Sequence, residues 1–256
     1  METELEEGER IDRIGFGDLR LIQKPEDFCY GVDAVLLAHF ASTGGEQENN
    51  IRLKVKRAID LGSGTGIVPI ILSHKTDIDR IFGLEIQKES FQRALRNIMI
   101  NGLEKRTEIL HGDVSDIEKV INKDFIGTFD MVTTNPPYIL NNGAIKNEKM
   151  SKMLARHETS GLLEDFIRSA ALLLKTRGDF YMIHRPSRLI DICVFCRVNK
   201  LEPKGIRFVS PREGKKPNIL LLHCVKNGNP ELKFMKNLNI YEGTQYSKEI
   251  NEIYER

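Results

Sequence analysis

Two short segments combine residue types and spacings that could do chemistry. The first, Asp60-Leu-Gly-Ser-Gly-Thr-Gly66, follows an apolar run and opens a helical pattern. Gly62, Gly64 and Gly66 let a backbone turn sharply and come close to a ligand, with only Ser63 and Thr65 between them. A dinucleotide loop would read G-x-G-x-x-G, with a pyrophosphate at the helix N-terminus. Here the spacing is G-x-G-x-G and an acid precedes it. The second segment, Asn135-Pro-Pro-Tyr138, follows another apolar run directly. Two prolines fix a rigid turn and leave carbonyls with no local N–H competing for them. The Asn135 side-chain oxygen and the Pro136 carbonyl could then accept together from one NH2 group, with Pro137 holding the turn and Tyr138 offering a flat face to a planar base or amide.

The acids around the glycine loop narrow the ligand. Asp60 suits a positive ammonium group, such as the methionine end of S-adenosylmethionine, and suits a pyrophosphate badly. Glu85 ends the next strand pattern, where a carboxylate can accept both ribose hydroxyls, and Asp113, in HGDV after the third, can accept from an adenine amino group. A bare glycine triplet is also an ordinary turn, and N-P-P-Y alone is too. Together, in this order along alternating elements, they read as a nucleoside-cofactor site beside a cradle for an amino nitrogen. An amine attacking a methyl donor becomes cationic and sheds its proton afterwards, so the first step needs positioning and fixed dipoles rather than a base.

These residues require a sheet with its strand ends along one edge. Short apolar runs at Val55–Leu61, Arg80–Glu85, Thr107–His111, Phe129–Thr134 and Asp179–His184 read as strands. Helical patterns fall at about 33–42, 66–75, 87–101, 117–122, 159–174 and 187–199. In the 87–101 helix Phe91, Leu95, Ile98 and Met99 share one face, and Lys88, Arg93 and Arg96 are expected to point away. Alternation of strand and helix predicts an α/β fold: a mostly parallel sheet with helices on both faces. A last strand pair near 205–210 and 219–226, joined by PREGKKPN, predicts a terminal antiparallel hairpin. Residues 1–50 read as an N-terminal extension, 51–226 as the domain, and 227–256 as a polar tail packed loosely over it.

Composition sets bounds. The 256 residues carry 40% hydrophobic and 29% charged residues and a net charge of +1, ordinary values for a globular chain. No run approaches a membrane helix and the acidic start is no signal peptide, so a cytoplasmic location is expected. Five glutamates lie in residues 2–9, whereas Lys175–Lys226 holds 12 Lys and Arg against four Asp and Glu. That basic half would suit a polyanion, and Lys204, Arg207, Arg212, Lys215 and Lys216 are candidate phosphate contacts; a solvated lysine-rich surface is the alternative. Cys193 and Cys196 make a C-x-x-C pair, but apolar flanks and no second pair favour buried thiols over a metal, and no metal is expected. The Arg156-His157-Glu158 cluster could grip phosphates or cap the helix that follows.

Residues 58–138 resemble the Rossmann-like class I methyltransferases of the amino-methylating N-P-P-Y group. That resemblance implies a seven-stranded sheet, S-adenosyl-L-methionine as cofactor, and cofactor roles for Asp60, Gly62, Gly64, Glu85 and Asp113, with Ser63, Thr65, Gly66 and Asn135 as further candidate cofactor contacts. From about residue 10 onward the chain is similar to the bacterial tRNA1(Val) adenine-N6-methyltransferases, through LIQKPEDFCYGVDAVLLAHFA, LARHETSGLLEDFI and LNIYEGTQYSKEINEIY. In that family an N-terminal segment, here Gly31-Val-Asp33, comes over cofactor and substrate. The resemblance implies a tRNA partner whose target base is extruded from an anticodon loop; a monomer is expected. A release-factor glutamine methyltransferase shares the N-P-P-Y chemistry, but such enzymes carry a helical N-terminal domain, and only about 55 residues precede the glycine strand here. A DNA adenine methyltransferase would want a recognition domain. A non-catalytic RNA-binding scaffold would have no need of Asp60, Glu85 and Asn135 together.

Overall fold

The computed structural model describes residues 4–27, 29–45, 55–138 and 163–256. Seven strands form the centre: β3 (Arg57–Leu61), β4 (Arg80–Glu85), β5 (Thr107–His111), β6 (Phe129–Thr134), β7 (Leu174–His184), β8 (Leu201–Arg212) and β9 (Ile219–Lys226). Their order across the sheet is β8-β9-β7-β6-β3-β4-β5. Every pair from β7 to β5 is parallel, while β9 runs antiparallel to both neighbours. The expected terminal hairpin is therefore β8–β9, and β4, β5 and β6 occupy the residues their sequence pattern indicates.

Helices cover both faces because the strands are apolar on both. On one side lie α1 (Val32–Ser42), α2 (Ile67–Lys75), α3 (Lys88–Ile100) and α7 (Lys248–Ile253). On the other lie α4 (Ile117–Val120), α5 (Leu163–Leu173) and α6 (Leu189–Val198). From β3 the chain winds to β4 and β5, then returns to β6 and winds the other way. The reversal falls between β3 and β6, and ligands of open α/β sheets bind at such a switch point, outside the carboxyl ends of the strands.

Three features depart from the sequence reading. A hairpin of β1 (Arg10–Arg13) and β2 (Arg20–Gln23) precedes α1, where the sequence pattern indicates no strand. It packs on α3 and overturns part of that helix's expected orientation: Arg93 is buried while Leu95 and Met99 are 41% and 47% exposed, whereas Ile98 is buried, Phe91 packs on the core and Lys88 is exposed as expected. Burial of Arg93 is tolerable because Glu9 and Asp27 each accept from its guanidinium at 3.0 Å. Burial alone would raise the Glu9 carboxyl, but hydrogen bonds from Arg96, the Glu6 amide and Arg93 hold it down at about 2.

The third departure is the C-terminal segment. Residues beyond 227 do not lie loosely over the domain: β11 (Leu238–Glu242) and β10 (Lys233–Phe234) both pair parallel to β8, and β12 (Gln245–Tyr246) folds back on β11. The sheet thereby reaches ten strands. Leu238 and Ile240 enter the core with Ile250 and Ile253; alternation over so short a run, broken by glycines and charges, is a weak strand signal.

On α6, Cys196 is buried and Cys193 partly exposed; with Cys29 and Cys224 they are free thiols. No helix of the described residues is long and apolar enough to cross a membrane. The Arg156–Glu158 cluster and residues 46–54 lie outside the described residues.

Candidate active site

The glycine loop leaves β3 and enters α2. Gly62, Gly64 and Gly66 have φ of +74°, +55° and +84°, a region that L side chains rarely adopt. The amides of Gly62 and Ser63 both donate to the Leu84 carbonyl at 2.9 Å, and the Gly66 amide to the Ser63 carbonyl at 2.9 Å. The Gly64 amide donates to Glu85 Oε2 at 2.8 Å. These donors are thus turned inward and form no anion nest, which agrees with the unsuitability of the loop for a pyrophosphate. Outward from Gly64 a Cβ would meet nothing within 4 Å, so a ligand can lie against bare backbone there. Asn97, buried on α3, braces the loop by donating to the Thr65 carbonyl at 2.9 Å and accepting from the Ile22 amide at 2.6 Å.

The strand register lines up the acids. Asp60 pairs with Gly83 on one side and Thr133 on the other; Glu85 ends β4 opposite His111; Asp113 follows β5. Asp60 is 2% exposed and accepts from Thr133 Oγ1 at 2.6 Å. Burial pushes its carboxyl up to about 7, against the pull of the Thr133 hydroxyl and with the Glu85 charge adding to the rise. Burial likewise raises Glu85, opposed by backbone N–H groups of Gln87, Gly64 and Ile86. Both Glu85 oxygens are held by these donors, and each keeps a second lone-pair site for a ribose hydroxyl. Asp113 Oδ1 caps the Ser115 amide at 2.8 Å. The buried Ser63 hydroxyl has no hydrogen-bond partner among the described residues, a polar group left for a ligand at the loop. Two buried carboxylates with raised proton affinity beside an open backbone surface fit a cofactor carrying an ammonium and a ribose.

Asn135 to Tyr138 leave β6 at the same edge, next to β3. The Tyr138 hydroxyl lies 3.0 Å from Asn135 Oδ1 and 3.1 Å from Asp33 Oδ2 at the start of α1. Its ring meets His184 edge-on at a centroid distance of 4.9 Å, and the Arg185 guanidinium stands 4.7 Å from its centroid. Burial raises the Tyr138 hydroxyl well above the ordinary tyrosine range, Asp33 adding to the rise and Arg185 opposing it. Burial also lowers the His184 imidazole to about 4, so a neutral ring faces Tyr138 at pH 7. His184 and Arg185 are missing from the sequence-derived site, although they end a strand next to it, where the carboxyl-edge rule points.

The basic candidates separate. The 213–218 loop joining β8 to β9 comes to the site edge, because His184 at the end of β7 pairs with Leu220 at the start of β9. Arg185 donates to the Asn218 carbonyl at 3.1 Å. Lys215 and Lys216 are exposed on this loop, and Arg212 is exposed at the end of β8 that leads into it. Lys204 lies toward the opposite end of β8 and donates to the Asn229 carbonyl at 3.1 Å. Arg207 is no phosphate contact: it is 2% exposed, paired with Glu249 and donating to the Lys236 carbonyl at 3.0 Å. It pins the C-terminal segment to β8, a burial that its place in a run of basic residues does not reveal. Arg207→Ala is accordingly expected to destabilise the protein by roughly 1–3 kcal/mol, since a buried side chain is lost and the Lys236 carbonyl is left without its donor, while Glu249 remains partly exposed to water. Chemical denaturation measures that loss, and polyanion binding by the folded protein should not change.

Fold and topology together define a methyltransferase architecture, with the glycine loop, Asp60, Glu85 and the Asn135–Tyr138 turn along the carboxyl edge of the sheet. The chain belongs to the methyltransferase-domain family, whose model matches residues 53–203. Among similar proteins is the tRNA1(Val) (adenine(37)-N6)-methyltransferase of Porphyromonas gingivalis, 28% identical over 75% of this chain and 72% of that one. The protein of the same name from Haemophilus influenzae is 25% identical over 89% and 91%. Among solved structures, a predicted O-methyltransferase from Agrobacterium tumefaciens superimposes with a TM-score of 0.65 at 21% identity, covering 87% of this chain and 95% of that one. M. jannaschii TYW2 in complex with AdoMet gives 0.56 at 13% identity, covering 87% of each. These two likenesses speak for the fold.

Proposed function

We propose that the protein methylates the exocyclic amino nitrogen of an adenine in RNA, with S-adenosylmethionine as cofactor and tRNA1(Val), beside the anticodon, as substrate. The observation that carries the reading is the placement of Asn135 Oδ1 and Pro136 just after β6, the strand next to that of Asp60, at the switch point. Asp60 would hold the cofactor's ammonium group, Glu85 its ribose hydroxyls and Asp113 its adenine amino group, with Gly62, Ser63, Gly64, Thr65 and Gly66 forming the floor. When bound, the cofactor supplies an electrophilic methyl group on a sulfonium sulfur.

Asn135 Oδ1 and the Pro136 carbonyl accept from the substrate NH2, which draws the nitrogen lone pair out of conjugation and aims it. Tyr138 holds the base plane. The methylated nitrogen is cationic and releases its proton to water, so catalysis rests mainly on these fixed dipoles. N-P-P-Y would serve a glutamine amide as well. RNA is favoured by Arg185, Arg212, Lys215 and Lys216 on the edge that a substrate must cross, and by the names of the relatives.

The test is transfer of radiolabelled methyl groups to total bacterial tRNA, followed by nucleoside analysis. Label in N6-methyladenosine is expected; label in a release factor and none in tRNA would replace the RNA reading with the glutamine one. Replacing Lys215 and Lys216 together by alanine should raise the apparent KM for RNA steeply with little change in kcat. Without these two cations, fewer counterions are released on binding, and the slope of log affinity against log salt should flatten by about 2. Equal loss in KM and kcat would count against a phosphate role.

A further inference from the structure

The Tyr138 hydroxyl has one proton and two acceptors within reach, Asp33 Oδ2 at 3.1 Å and Asn135 Oδ1 at 3.0 Å. It can donate to only one of them at a time. The choice matters, because Asn135 Oδ1 is the oxygen that the substrate amino group needs. Donation from Tyr138 would occupy part of that oxygen and reduce its basicity toward the incoming N–H. A carboxylate is the stronger acceptor, since hydrogen bonds to an ionised group are roughly twice as strong as neutral ones. Asp33 is also a distant part of the chain, 105 positions from Tyr138, brought there by the first turn of α1.

We infer that Asp33 is a positioning residue of the methyl-transfer site: by taking the Tyr138 hydroxyl proton it leaves Asn135 Oδ1 open to the substrate amino group. The same bond fixes the Tyr138 ring between His184 at its edge and Arg185 over its face. This rests on the reading of Asn135 as acceptor of the substrate nitrogen. It makes the N-terminal extension part of the reaction site rather than a cover over it. Without Asp33, the tyrosine proton turns to Asn135 and competes with every substrate.

A plain structural role offers a different account, because an acid in the first turn of a helix favours the helix dipole wherever it points. A double-mutant cycle separates the two. Asp33→Ala is expected to lower kcat about tenfold with little change in KM for RNA or cofactor, whereas Asp33→Asn, whose neutral amide oxygen accepts no more strongly than Asn135 Oδ1, is expected to lose a smaller part of the turnover. Tyr138→Phe sets its own lower baseline, and on that baseline Asp33→Ala should cost nothing further, because no hydroxyl remains to misdirect. An equal loss in both backgrounds would overturn the inference. A second readout needs no substrate: in protein carrying ζ-13C tyrosine, the Tyr138 resonance, assigned by its loss in Tyr138→Phe, should shift on Asp33→Ala. An unmoved resonance would overturn the inference whichever molecule proves to be the methyl acceptor. Failure of wild-type protein to methylate any RNA would instead sink the substrate reading and leave this measurement standing.

Discussion

Asn135→Ala is expected to lower methyl transfer by about 10²–10³-fold while leaving cofactor affinity nearly unchanged, a loss of the size seen when one fixed dipole is removed from a transition-state cradle. Asn135 follows β6, the strand beside that of Asp60, and its side-chain oxygen lies 3.0 Å from the Tyr138 hydroxyl. In the proposed mechanism its oxygen would stabilise the positive charge that grows on the attacking nitrogen, an interaction stronger in the transition state than before it. Isothermal titration with the cofactor and single-turnover transfer to RNA measure the two quantities separately. Parallel loss of both would mean that Asn135 shapes the cofactor site and that the nitrogen is held by other groups.

The proposed cofactor half of this arrangement is marked in the sequence because it is local. Asp60 and the three glycines span seven residues, and only glycine readily accepts the positive φ found at 62, 64 and 66. Glu85 and Asp113 end or follow strands whose apolar runs are bounded by polar residues and glycine. The substrate half is legible only in part. N-P-P-Y marks its own turn, but the Asp33 carboxylate, the His184 edge and the Arg185 guanidinium come from α1 and β7, and no periodicity relates them to residue 138. Short edge strands are hidden for another reason. β1 and β2 are four residues each and begin with charged residues; β1 stays largely exposed, and β2 is buried by its contact with α3 rather than by an alternating pattern. Arg93 and Arg207 show the same limit. An arginine reads as surface until a partner elsewhere, Glu9 or Glu249, neutralises it inside.

Cofactor affinity is expected to rise with pH through about 7 and then level off, and Asp60→Asn to abolish that dependence. Asp60 is buried and its carboxyl is pushed up to about 7, so in the empty protein it is largely protonated at pH 6 and largely ionised at pH 8. A cationic ammonium binds the ionised form; below pH 7 binding must first remove a proton, which costs about tenfold in affinity per pH unit. The same shift has the opposite sign for stability. An acid whose folded pKa lies above its unfolded value of 3.8 costs stability progressively as pH rises from about 4 to 7, and the full cost persists above 7. Asp60→Asn keeps an oxygen to accept from Thr133 Oγ1 and removes the buried charge. At pH 8 the empty variant should therefore melt above the wild type while binding the cofactor far more weakly. Calorimetric titrations between pH 5.5 and 8.5, with melting curves at each pH, measure both. An affinity independent of pH in the wild type would show that Asp60 is already ionised without the ligand, and the ammonium would then have to be held elsewhere. On the proposed reading, an acid buried among strands at Asp60, beside a second acid at Glu85, is the stability cost of a cofactor site, and the ligand's ammonium group would offset it.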